Sequence, residues 1–191
     1  MLDEYYVFIE ELNDIFKKNI TKFKNINIII NINNINKSNL NNALSIIKFS
    51  KSYKIPFYLI NNYQMSIKCN ANGTFLSSDH KQLKRPMLLK RNFKIIGLAH
   101  NQHEYYKKKE QLCKNIMVSP LFYNRKYSIN KILGINKFNL LTNSWKTKIC
   151  ALGGISLNNI KKLKMTKAKS FAGISFFQKK SPLLFNSKGL L

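Results

Sequence analysis

Eight short apolar runs, each followed by a segment of helical character, constrain this chain more than any other feature. They are Tyr5–Ile9, Ile26–Ile32, Pro56–Ile60, Thr74–Leu76, Lys94–Leu98, Ile116–Val118, Lys148–Leu152 and Ser170–Ile174. Continuous apolar runs mark strands covered on both faces, and strict alternation with helices demands parallel pairing through right-handed crossovers. An α/β fold follows. Ser38 leads into Leu40, Ala43, Leu44 and Ile47, a spacing that gathers the apolar groups on one helical face. Similar segments run from Glu11 to Phe23, from Gln102 to Cys113 and from Ser156 to Met165.

A doubly wound open sheet would need a glycine-rich turn after its first strand, and YYVFIEELND, from Tyr5 to Asp14, has no glycine. Eight units therefore predict a TIM-type (β/α)8 barrel. Such barrels usually need about 250 residues, so a chain of 191 predicts a compact one, a single domain over residues 1–191. The tail after Ile174 is short and broken by Pro182. The final outer helix should be shortened or missing.

Lys and Arg total 33 against 8 Asp and Glu, a formal charge of +25, and such a balance raises nucleic acid or an anionic membrane as partner. Here the excess runs from Lys17 to Lys188 alongside a surplus of Asn, Ile and Phe, residues with A- and T-rich codons. Arg85, Arg91 and Arg125 are scattered, and no aromatic-plus-basic recognition motif occurs. The charge therefore points to steering of small anions rather than to nucleic acid. Cys69, Cys113 and Cys150 show no paired spacing, so neither disulfides nor a zinc site is signalled. The acidic start MLDEYYVFIEEL lacks a basic leader, and no stretch reaches the length of a membrane span. A cytoplasmic protein is expected, and its oligomeric state is not encoded in any visible motif.

In a barrel the working residues lie where the strands run into the following loops, and phosphate sites gather after the seventh and eighth strands. Read in turn, these ends carry Glu10 and Glu11, Asn31 and Asn33, Asn61 and Asn62, Ser77 to His80, Ala99 and His100, Ser119 and Pro120, Gly153 and Gly154, and Ser175. In KICALGGISLNNI an apolar strand stops at Gly153 and Gly154, and a helix capped by Ser156 is expected next. Two glycines let a phosphate approach the backbone and meet exposed N–H groups, although an isolated pair of glycines is also an ordinary turn. The companion AGISFF, with Ser175, tilts the reading towards phosphate.

INN at Ile60–Asn62, GTFLSSD at Gly73–Asp79, IIGLAHNQHE at Ile95–Glu104, SPLF at Ser119–Phe122, ILG at Ile132–Gly134 and ALGGISLNN at Ala151–Asn159 follow one another in a familiar order. In that order and spacing the chain resembles thiamine phosphate synthase and its thiazole tautomerase relatives, from about Tyr5 to Ser175. The resemblance implies a transferase of thiamine biosynthesis. It would join an aminopyrimidine diphosphate to a thiazole phosphate and expel pyrophosphate, with Mg²⁺ on the leaving group. By position Asn61 would bind the pyrimidine and Lys126 would reach the diphosphate. Gly153, Gly154 and Ser175 would hold the thiazole phosphate, with Ser119, Asn31 and Asn33 completing the substrate site. Asn62 and Asp79 would face the metal.

The chain departs from the family in several places. Where the family ends its second strand with a Gln, an Arg and a Lys, IIININN offers Asn31 and Asn33. Asn62 stands for a metal-binding Asp, His80 occupies the register of the second carboxylate beside Asp79, and Ala99 replaces a serine. His100 matches the position that the tautomerases use as proton shuttle, work that suits an imidazole; equally, it is placed to hydrogen-bond neighbouring loops. His100 and His103 have no third ligand nearby in sequence, so they do not signal a metal pair. Lys107, Lys108 and Lys109 read as a solvated helix face, and Trp145 as packing. Two other readings remain: a tautomerase-like isomerase using His100, and a non-catalytic basic barrel that binds phosphorylated ligands or nucleic acid.

Overall fold

Isoleucine-rich and aromatic runs bury both faces of a strand, and here they do so around a common axis. The computed structural model describes residues 2–21, 23–32, 37–83, 91–125, 127–173, 175–178, 185–186 and 189–190. Its strands are β1 (Glu4–Ile9), β2 (Ile26–Ile30), β3 (Phe57–Ile60), β4 (Gly73–Leu76), β5 (Lys94–Ala99), β6 (Asn115–Val118), β7 (Lys148–Leu152) and β8 (Ser170–Gly173). Each pairs in parallel with the next, and β8 returns to β1 with Tyr5 opposite Phe171, closing the barrel. The expected TIM-type architecture is therefore present. All eight apolar runs became strands, the second stopping at Ile30 rather than Ile32.

Inside, side chains from alternate strands stack in levels, the usual filling of such barrels. Phe8, Ile60, Leu98 and Leu152 form the upper level, above Ile29, Phe75, Met117 and Ala172; Tyr6, Tyr58, Ile96 and Cys150 lie deeper. The outward faces of the strands pack under the helices in a second, larger core that includes Ile28, Ile30, Phe138 and Phe171. Burial pushes the Cys113 and Cys150 thiols up to about 12, so both are inert as nucleophiles.

The base of the barrel is closed by polar groups. The Tyr6 hydroxyl donates to Glu4 Oε2 (2.5 Å) and accepts from Asn115 Nδ2 (3.0 Å), while Lys94 Nζ donates to Glu4 Oε1 (3.1 Å). Burial pushes the Glu4 carboxyl up, but the hydrogen bonds from Tyr6 and Lys94 and the charges of Lys94 and Lys148 outweigh it, and the net pKa lies below the ordinary value. The resulting stability is present above the unfolded carboxyl pKa and is lost as pH falls through the lower folded value. Tyr6→Phe should cost about 1–3 kcal/mol, because it strands buried partners of the hydroxyl. A fall in Tm is the readout, with the exposed Tyr53→Phe as the silent control.

The helices are α1 (Asp14–Ile20), α2 (Lys37–Ser52), α3 (Tyr63–Lys68), α4 (Gln102–Glu110), α5 (Gly134–Thr142) and α6 (Ser175–Gln178). Several expectations need correction. The segment from Glu11 to Phe23 yields seven helical residues, because the Asn13 side chain accepts the Phe16 N–H (2.7 Å) and starts the helix there. α3 and α5 are additional to the helices that the spacing predicts. No α-helix follows Ser156: residues 157–159 form a turn and Ile160–Met165 a 3₁₀ helix. The cap is inverted, since Asn159 Oδ1 accepts the Ser156 N–H (2.9 Å) and Asn159 Nδ2 donates to the Gly154 carbonyl (2.8 Å). Among the described residues, those after β8 are the four of α6 and a short antiparallel pair, β9 (Phe185–Asn186) with β10 (Gly189–Leu190).

Candidate active site

The mouth of the barrel, where strands run into loops, opens into a cavity of about 450 Å³. Its floor is apolar: Phe8, Phe75, Leu98, Leu152 and Ala172 belong to the interior levels just described. Phe8 and Phe75 meet edge to face, ring centres 5.2 Å apart. The rim carries Ser119, Asn124, Tyr127, Gly153, Gly154, Ile155 and Gly173. A flat ring can lie on such a floor while its polar substituents meet the rim.

Gly153 and Gly154 have φ of +96° and +68°, so the chain after β7 turns through a conformation that L side chains rarely adopt. The loops after β6 and β7 are locked together there. The Leu121 N–H donates to the Leu152 carbonyl (2.9 Å) and the Phe122 N–H to the Gly153 carbonyl (3.0 Å). A Cβ on Gly154 would stand 2.4 Å from the carbonyl oxygens of Phe122 and Tyr123. Ser119, buried and followed by a cis peptide bond to Pro120, completes this side. The structure thus brings together Ser119, Gly153 and Gly154. Gly173 of β8 lines the same cavity, two residues before Ser175, which opens α6.

Asn31, Asn61, Asn62 and Asp79, at the ends of neighbouring strands, do not line this opening. Asn61 has a positive φ of 54°, and its carboxamide closes on Ser77: Nδ2 donates to Ser77 Oγ (2.7 Å) and Oδ1 accepts the Ser77 N–H (2.9 Å). The Ser77 hydroxyl in turn holds the Asp79 carboxyl below the usual range, so Asp79 is ionised at neutral pH. Asn62 Oδ1 accepts the Met65 N–H (2.8 Å) and caps α3. Asn31 follows β2 on the exposed side. Asn33 and Lys126 lie outside the described residues.

These donors do not fit a Mg²⁺ site held by the protein. Asn62 is spent on its helix, Asn61 on Ser77, and exposed Asp79 is left as a single ligand where the ion takes several oxygens. Among the described residues no three of His, Cys, Asp and Glu gather to hold a metal.

Two features went unread in the sequence. Glu104 Oε2 accepts the His100 N–H (2.8 Å) and lies 2.9 Å from His100 Nδ1, a geometry that favours a proton on Nδ1 and makes Nε2 the acceptor of the neutral ring. That Nε2 is buried and has no hydrogen-bond partner among the described residues, and the ring lies 6.2 Å from that of Tyr127 on the cavity rim. The i, i+4 spacing of His100 and Glu104 at the start of a helix was the available signal. The second is Lys108, read as solvated and in fact fully buried. The flanking Lys107 and Lys109 are exposed, as expected. Trp145 is core, stacked on Tyr105 at 4.1 Å with its Nε1 donating to Gln102.

Residues 25–177 match the family model described as thiamine monophosphate synthase. The chain is 30% identical to the thiamine-phosphate synthase of Prochlorococcus marinus strain AS9601 over 73% of this chain and 40% of that protein. It is 31% identical to the thiamine-phosphate synthase of P. marinus subsp. pastoris over 67% of this chain and 37% of that protein. The chain therefore spans about two fifths of the length of these curated relatives. In fold it is similar to a thiamine phosphate pyrophosphorylase from Pyrococcus furiosus, with a TM-score of 0.71 at 15% identity over 91% of this chain and 86% of the other.

Proposed function

Because the chain belongs to the thiamine monophosphate synthase family, we propose that its barrel joins an aminopyrimidine diphosphate to a thiazole phosphate and releases pyrophosphate. The observation that carries this reading is the cavity: an apolar floor sized for a heteroaromatic ring, rimmed by the glycines of β7 and β8 where a phosphate can reach the backbone. In the proposed reaction the bond between the pyrimidine methylene carbon and the diphosphate oxygen breaks, and the electron pair leaves with pyrophosphate. The thiazole nitrogen then supplies the pair for the new C–N bond. The intermediate carbocation would be generated over Phe8 and Phe75, where an aromatic face attracts positive charge and the apolar surface keeps water from capturing it.

Within this reading Lys126 meets the leaving diphosphate, Gly153, Gly154 and the Ser175 turn hold the thiazole phosphate, and Asn61 positions the pyrimidine. Ser119, Asn31 and Asn33 complete the substrate site. Magnesium would enter as a companion of the diphosphate. The reaction is placed in the cytoplasm. Among the described residues no helix is long and apolar enough to cross a membrane.

The test is formation of thiamine phosphate from the two substrates, with Mg²⁺ present and then chelated. Product in either condition supports the transferase, and its loss on chelation supports the magnesium requirement. No product, with thiazole phosphate still bound, overturns the transferase reading in favour of the isomerase that would use His100.

A further inference from the structure

The loop after β4 carries Ser77, Asp79 and His80, the segment that resemblance assigns to metal binding, yet the donors there do not make a metal site. What the loop does have is an ammonium. Lys108 leaves α4 and runs, fully buried, along the outer face of β5. It crosses at Gly97, where a Cβ would stand 2.9 Å from Lys108 Cγ and Cδ, so the strand leaves room for the side chain. At its end Nζ donates to the Ser77 carbonyl (2.5 Å), to Gln111 Oε1 (3.0 Å) and, at 3.4 Å, to the His80 carbonyl. Gln111 Nε2 closes the arrangement by donating to the carbonyls of His80 (2.8 Å) and Gln82 (3.1 Å).

An ammonium has three N–H donors and a neutral amine two. Three oxygens facing Nζ therefore select the charged form, against the burial that pulls the Lys108 pKa down. Ser77 is also the residue on which Asn61 closes, so the loop backbone held by Lys108 at the Ser77 carbonyl fixes the Asn61 carboxamide through the preceding peptide N–H and the hydroxyl of the same residue.

We propose that Lys108 is a positioning residue, a tethered cation that holds residues 77–82, and through Ser77 the Asn61 side chain, in place without a bound metal. The consequence for pyrimidine binding rests on the function proposed above; the ordering of the loop does not.

Amide hydrogen exchange reads the loop directly, because the Ser77 N–H is held by Asn61 Oδ1 and the His80 N–H by the Ser77 carbonyl at 3.2 Å. In the unaltered protein the protection of these two amides should be unchanged by EDTA. In Lys108→Met, which keeps the stem and removes the charge, both should lose protection. In Lys108→Ala, methylammonium or ethylammonium should restore it, since the alkylammonium can occupy the vacated channel. Affinity for the aminopyrimidine diphosphate should fall about tenfold in Lys108→Met while that for thiazole phosphate stays within about twofold, a split that general loss of structure would not produce. Loss of Ser77 and His80 protection on chelation in the unaltered protein would overturn the proposal, as would full protection in Lys108→Met. If no pyrimidine binds even to the unaltered protein, the proposed reaction fails, and the exchange data still decide the role of Lys108.

Discussion

Gly153→Asp is expected to lower affinity for thiazole phosphate by at least ~100-fold, since about 3 kcal/mol suffices and three effects act in one direction. A side chain at φ +96° is strained by about 1–3 kcal/mol. Its Cβ would press against Pro120 Cα at 3.0 Å and Ser119 Oγ at 3.2 Å, disturbing the locked loops after β6 and β7. The carboxylate would then face the phosphate, a repulsion of roughly 1–4 kcal/mol at 4 Å in a partly solvated site. Gly134→Ala separates strain from site chemistry. Gly134 also has a positive φ, +62°, but nothing lies within 4 Å of its Cβ position. That variant should lose about 1–2 kcal/mol of stability and bind thiazole phosphate normally. Titration calorimetry decides: normal binding by folded Gly153→Asp would mean that the phosphate sits elsewhere.

The contrast between these two glycines also shows what a sequence of this kind discloses. The barrel was legible because its information is local: a run such as INIII cannot be soluble on either face, so each run became a strand, and eight of them in parallel order leave few topologies. The β7 turn was legible for a related reason, since consecutive glycines mark a backbone that a side chain would block. Element ends were less legible. Residues 156–165 have helical spacing, but Asn159 turns back to cap Gly154 and Ser156 and only a 3₁₀ segment remains.

Lys108 was misread because composition outweighed periodicity. In a chain with 33 cationic side chains a triple lysine reads as solvated surface. Yet Tyr105, Lys108 and Gln111 follow one another at a spacing of three on the helix and the turn that ends it, and all three are buried. Gly97 beneath them is the complementary feature on the strand, visible only once the register is known. Asn61 and Asn62 illustrate the opposite limit. Asn61 matched the family pattern and Asn62 stood in for its Asp, but sequence could not show that one carboxamide is spent on Ser77 and the other on capping α3.

In thiazole phosphate isomerisation, the reaction that would use His100, His100→Gln is expected to lower turnover about 100-fold with little change in KM, the range for removing a positioned proton-transfer group. The argument starts from an imbalance. With Glu104 accepting from both the backbone N–H and Nδ1, the imidazole offers only Nε2 to a partner, and the described residues provide none at this buried position. A buried acceptor left unmatched costs about 1–3 kcal/mol, a cost that a substrate N–H or O–H arriving beside Tyr127 would remove. Glutamine cannot take and return a proton, so binding survives better than turnover. Glu104→Gln should cost about tenfold, because an amide accepts through one oxygen and its NH₂ group opposes a ring N–H, loosening the tautomer. The double variant discriminates. If Glu104 works through His100, then His100→Gln with Glu104→Gln is no slower than His100→Gln alone. If the two losses multiply, Glu104 acts separately and the tautomer argument is wrong.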